Sequence, residues 1–225
     1  MMISPICFFI FSLVLSSSYA AVQDFCVADY TAPQGPAGYS CKDPAKVTVD
    51  DFVYSGLRVS GNTSNIHKFG FVPAVVTQFP GLNGLGVSVG RTDLGVGGVI
   101  PFHTHRGATE VLIVAEGSSV IGAFVDSNSK VYMKTMSKGD CMVFPKGLLH
   151  FAVNQGDTPA LMYASLSSEN PGLDALETQL FKNDLPTDLI HKTTLLDKYQ
   201  IRKLKRLLGG MILALLIYPL QQHHL

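Results

Sequence analysis

Four residues constrain this chain more than any others: His103, His105, Glu110 and His150. They lie in two glycine-bounded runs, Gly97-x5-His103-x-His105-x4-Glu110-x6-Gly117 and Gly139-x5-Pro145-x-Gly147-x2-His150-x3-Asn154. Residues two apart on a strand face the same side of a sheet, so His103 and His105 present their imidazoles together. A turn at Arg106-Gly107 folds the chain back to deliver Glu110, and Pro145-x-Gly147 supplies another ahead of His150. If both runs are strands, the four side chains converge inside a small β-barrel onto one metal ion. A lone His-x-His would serve as readily as a structural pair. Four ligand-type side chains in two such frames predict a metal site.

Three imidazoles, one carboxylate and no thiolate make a hard-to-borderline donor set. Four such ligands would close a zinc tetrahedron. Manganese or iron prefers six positions, leaving two open for water or substrate. Ligand type alone leaves zinc, copper and nickel open, and it supports a redox-capable site without requiring one.

The surrounding sequence reads as short strands. Residues 85–91 alternate in polarity, and residues 109–115 form a continuous apolar run suited to a strand between packed layers. Further strand-like runs follow at 119–125, 130–135, 141–144 and 161–166, punctuated by Gly107, Gly117, Gly139 and Gly147. After Pro171 the apolar spacing becomes helical over 173–181 and again over 194–208. The second run closes on Arg202, Lys203, Lys205 and Arg206 followed by Gly209-Gly210. Basic side chains favour the negative end of a helix, so this cluster is read as a helix end and not a binding patch. The expected fold is all-β: a barrel over 50–170, C-terminal helices over 171–210, and a loop-like N-terminal segment over 22–49.

The 17 basic and 17 acidic residues balance, and no basic patch marks the centre, which argues against nucleic acid as a partner. Residues 7–15 form an apolar core of nine residues, too short to span a bilayer, and Ser18-Tyr19-Ala20 offers small residues to a signal peptidase. Residues 1–20 are therefore read as a signal peptide, and the chain as secreted with no transmembrane segment. In an oxidising compartment Cys26 and Cys41 are expected to pair across their Pro- and Gly-rich loop, worth roughly 3 kcal/mol. Cys7 leaves with the signal, and Cys141 is read as a buried free thiol. Asn62-Thr63-Ser64 beside Gly61 is an N-glycosylation sequon. Residues 211–225 form an atypical apolar tail, too short to span a membrane and lacking the polar spacer of a lipid-anchor signal. Its His223 and His224 are read as incidental.

Both metal-site runs resemble the two motif boxes of the cupins, and in detail those of plant germins and germin-like proteins. The resemblance extends through Gln23-Asp24-Phe25-Cys26-Val27-Ala28-Asp29, Phe79-Pro80-Gly81-Leu82-Asn83-Gly84-Leu85-Gly86 and Phe144-Pro145-Lys146-Gly147-Leu148-Leu149-His150-Phe151 to Asn183-Asp184-Leu185-Pro186. Within that family the chain looks similar to the auxin-binding subgroup. The resemblance implies a cupin jelly-roll β-barrel with C-terminal α-helices, holding one manganese ion through His103, His105, Glu110 and His150. It also implies the N-terminal disulfide, the plant apoplast, and a homohexamer built as a trimer of dimers. Family members include oxalate oxidases, superoxide dismutases, auxin binders and storage-like (nutrient reservoir) proteins.

Two departures shape the expected function. Gly90 and Ile100 stand where oxalate oxidases of the group carry asparagines, and neither can hydrogen-bond a dicarboxylate. Arg106 stands where relatives usually have proline. It is read as a solvent-facing loop side chain or as a guanidinium at the pocket mouth that draws in anions. The expectation is a manganese-binding protein without oxalate oxidase activity, with superoxide dismutation as the enzymatic reading. The alternative is binding of a small carboxylate ligand such as an auxin, or storage without catalysis.

Overall fold

Alternation decides which strands form and which way they face. Ser88–Leu94, Leu149–Asn154 and Ala160–Leu166 each bury every second side chain, as strands with one face on a core must. The structure, a computed structural model, describes residues 24–35 and 38–210. The signal segment over 1–20 and the tail over 211–225, with His223 and His224, lie outside the described residues.

In chain order the strands are β1 (Phe69–Ala74), β2 (Ser88–Leu94), β3 (Val99–Thr104), β4 (Glu110–Glu116) and β5 (Val120–Val125). They continue as β6 (Val131–Met136), β7 (Cys141–Phe144), β8 (Leu149–Asn154), β9 (Ala160–Leu166) and the two-residue β10 (Asp174–Ala175). All pair antiparallel, in two sheets ordered β1-β2-β9-β4-β7 and β10-β3-β8-β5-β6. One apolar core draws on both inner faces, with Leu94, Leu112, Met162 and Leu166 from the first sheet and Ile100, Val120, Met136 and Ala152 from the second. This is a mostly-β jelly roll: the strand-like runs predict the β class, and the resemblance implies the jelly roll.

Among the described residues three α-helices follow: α1 (Leu176–Phe181), α2 (Thr187–Thr194) and α3 (Lys198–Leu208). They pack around their own small core of Phe181, Ile190 and Ile201. Gly209, at φ 82°, caps α3 through a backbone bond to Lys205, as the Gly209-Gly210 stop implies. At the other end, Cys26 and Cys41 are joined by a disulfide, and Ala28 N donates to Pro80 O at 3.0 Å to lay the segment against the barrel. Among the described residues no helix is long and apolar enough to cross a membrane.

Four expectations need correction. The strand anticipated at 85–91 begins at Ser88, because Gly84 and Gly86 hold positive φ and keep the chain turning. The helix anticipated from 173 starts at Leu176, since Asp174 and Ala175 pair with Thr104 and His103 at the sheet edge. The run over 194–208 is interrupted. Thr194 ends α2, Leu195 turns left-handed, and Asp197 caps α3 by accepting from Tyr199 N and Gln200 N. Finally, Cys141 is exposed, not buried. Phe144 takes the inward face of edge strand β7 and leaves Cys141 and Val143 facing out.

Candidate metal centre

The fold brings all four anticipated side chains together. His103 lies near the end of β3 and is register-paired with His150 on the neighbouring β8. Glu110 opens β4 in the opposite sheet, and His105 sits just before the Arg106-Gly107 turn between the two. The turn ahead of His150 is bonded to this region directly, with Gly147 N donating to His105 O at 3.0 Å. Gly147 sits at φ 77°, a conformation that only glycine adopts without strain. All four side chains are buried, and their ligating atoms lie within 4.8 Å of one another.

Each imidazole is oriented by a backbone carbonyl. The Nδ1 atoms of His103, His150 and His105 lie 2.8, 2.8 and 2.6 Å from the carbonyls of Pro101, Leu148 and Gly172. A carbonyl only accepts, so each Nδ1 carries the proton and each Nε2 turns its lone pair inward. Two of those Nε2 atoms, on His105 and His150, then face Glu110 Oε2 at 2.9 and 3.2 Å. Neutral imidazole and carboxylate would meet lone pair to lone pair, an arrangement that needs a shared proton or a cation between them. A metal ion fits this donor set.

Electrostatics prepare the ligand forms of His103 and Glu110, and bias His105 toward keeping a proton that an ion would replace. Burial, reinforced by the neighbouring His150, pushes the His103 imidazole down to about 4, so it is neutral at physiological pH. Burial works to raise Glu110, but the adjoining His105 and His150 rings, which donate to it when a proton sits on their Nε2 in the metal-free cluster, outweigh that and hold the carboxyl at about 2. Burial works to lower His105, yet the bonds to Glu110 and the Gly172 carbonyl leave it raised.

Comparison with known proteins agrees with this geometry. The chain matches the Cupin family over residues 55–202. Auxin-binding protein ABP19a of Prunus persica is 65% identical over 209 residues, covering 93% of this chain and 99% of that one. A germin-like protein of Morus alba is 59% identical over 209 residues, covering 93% of this chain and 99% of its own length. The chain is a germin-like cupin. Among solved structures, an oxalate oxidase superposes with a TM-score of 0.79 at 34% identity, covering 84% of this chain and 96% of that one.

The germin-like site opens into a cavity of ≈250 Å³ whose floor includes His103, His105 and Glu110. Apart from those ligands, Thr92 and Asn170 are the polar side chains that line it. Ile100 is buried in its wall. Gly90 lies on β2, facing inward, and a Cβ there would fall 2.3 Å from the Phe71 ring. Arg106 stands outside the cavity, its side chain 76% exposed, and its Nη2 donates to Asp174 Oδ1 at 3.0 Å. It therefore sits at the solvent edge with part of its charge offset.

Sequence reading missed two contributors. The Gly172 carbonyl that orients His105 comes from 67 residues downstream, and nothing in the local sequence marks it. Phe71, which roofs the cavity beside Gly90, lies in a strand outside both metal-site runs. Away from the site, the side chain of Asn62 is exposed, its Oδ1 accepting from Ser64 N at 2.8 Å.

Proposed function

We propose that this germin-like protein is secreted to the plant apoplast, holds manganese through His103, His105, Glu110 and His150, dismutates superoxide, and does not oxidise oxalate. The observation that carries this reading is the buried set of three imidazoles and one carboxylate whose ligating atoms lie within 4.8 Å of one another beside a cavity. The donor set, without thiolate, suits manganese, and a bound ion of that kind would supply one-electron redox and open coordination positions. The chain's part is to fix those donors, exclude bulk water and keep His103 neutral.

Superoxide is the substrate that demands least from the walls. Two superoxide ions and two protons give dioxygen and hydrogen peroxide, and so small an anion needs no side-chain clamp. Oxalate needs donors for both carboxylates; Gly90 and Ile100 offer none, which leaves the neutral Thr92 and Asn170 as the donors in the lining besides the ligands.

Purified protein assayed for metal, superoxide and oxalate on one sample tests this directly. Dismutation should follow manganese content and disappear in His150→Ala, with no oxalate turnover. Activity no higher than free-metal controls would sink it. The same preparation should sediment as six copies and lose its glycan in Asn62→Gln. A monomer, or an unchanged mass in that variant, would count against those parts of the proposal.

One observation favours a second reading, in which the site binds a small carboxylate without catalysis. The cavity wall is mostly apolar, and similar proteins of Prunus persica bear the name auxin-binding. Calorimetry with indole-acetic acid on loaded and stripped protein checks it, and no heat in either form removes it.

A further inference from the structure

Resting on the reading that the four ligands hold a divalent ion, we infer that Phe71, seated in the space left by Gly90, is the specificity-determining wall of the cavity. It selects a monocarboxylate with a flat apolar body and rejects a compact diacid.

The packing begins with register. On β1 and β2, Pro73 pairs with Gly90 and Phe71 with Thr92, so Phe71 lies diagonally beside the missing side chain. A Cβ at position 90 would lie 2.3 Å from Phe71 Cε2 and 2.5 Å from Cζ, which is overlap and not contact. The ring therefore occupies the volume that any larger residue at 90 would claim. Phe71 also stacks on Phe69, with centroids 6.4 Å apart and planes 28° from parallel, and is 39% exposed at the rim. Ile100, Leu166 and Leu173 continue the apolar surface.

Charge makes the same selection. The Glu110 carboxylate offsets one of a divalent ion's two charges, and a ligand carboxylate offsets the other. A second carboxylate would then meet no cationic side chain in the lining, only the neutral donors Thr92 and Asn170, and its charge would be buried without a counter-charge. Arg106, the nearby cation, is outside and tied to Asp174. Volume permits the proposed class. An apolar cavity of about 150 Å³ takes a benzene ring, so ≈250 Å³ leaves room for a ring and a short acid arm.

The test uses the full secreted chain loaded with manganese, with calorimetry and the Mn(II) electron paramagnetic resonance spectrum as readouts. Acetate, phenylacetate and oxalate are the probes. Phenylacetate should bind at least tenfold more tightly than acetate or oxalate. Phe71→Ala should cut that advantage about tenfold while leaving acetate affinity unchanged, and Phe71→Leu should keep part of it. Equal binding of acetate and phenylacetate, or an advantage untouched in both variants, overturns the inference. Should Phe71→Ala not fold, Phe71→Leu alone decides by the same ratio. Protein that takes up no manganese overturns the metal reading itself, which metal analysis reports before any ligand is added.

Discussion

His103 is held neutral inside a buried cluster, and that makes the metal-free protein acid-sensitive in a defined window. The unfolded chain takes up the His103 proton near 6.5, while the folded chain resists until about 4. Falling pH therefore favours unfolding across that interval, by a total on the order of 3 kcal/mol. Glu110 adds a second loss lower down, as pH falls from about 4.5 through about 2. His105, whose folded value is raised, works the other way and contributes stability at low pH that fades as pH rises through that value. Urea unfolding of stripped protein at pH 7 and pH 4.5 should show a larger loss in the wild type than in His103→Asn. Parallel losses in the two would reject the argument. Strand alternation alone did not place the four ligands: His105 lies just past the end of β3 and Glu110 on the opposite sheet. They were legible in the sequence because ligand-type residues recur in two glycine-bounded runs. The Gly172 carbonyl and the Phe71 ring were not, because their positions depend on pairing between strands distant in sequence.

The break between α2 and α3 shows where element boundaries escape a pattern reading. Apolar spacing runs on through residues 194–208, yet Leu195 stands at φ 62° and closes α2 in the left-handed region. Glycine is the usual residue for that position, so no sequence signal announced the stop. The leucine is 87% exposed and brings no core packing in return. Leu195→Gly should therefore raise stability by about 1 kcal/mol, whereas Asp197→Ala, which removes the cap on Tyr199 N and Gln200 N, should lower it by about 1 kcal/mol. Thermal melts of both variants check the pair, and a destabilised Leu195→Gly would mean that the exposed leucine packs against something else. The β10 pairing escaped in a similar way. Two residues at a sheet edge are fixed by the open backbone of β3 and not by any periodicity of their own.

At the scale of the molecule, the candidate centre is a joint between layers. His103 and His150 belong to the β10-β3-β8-β5-β6 sheet, and Glu110 belongs to the β1-β2-β9-β4-β7 sheet. His105 is tied through Gly172 to the segment that leads into β10 and the helices. One ion held by all four would cross-link both sheets and that segment, so its removal should weaken the barrel as a whole and not one loop. Ligand binding to the folded state alone stabilises it by about 2.7 kcal/mol at a hundredfold excess over Kd. In a chain of this size that corresponds to a melting temperature higher by roughly 5–10 °C. Manganese added to stripped protein should produce that rise, and chelator should reverse it. Glu110→Gln keeps the shape of the side chain but removes the charge that balances the ion, so its melting temperature should respond to manganese only at far higher concentration. Loaded and stripped wild type melting together would show that the four ligands do not join the sheets through a metal, however well their geometry suits one.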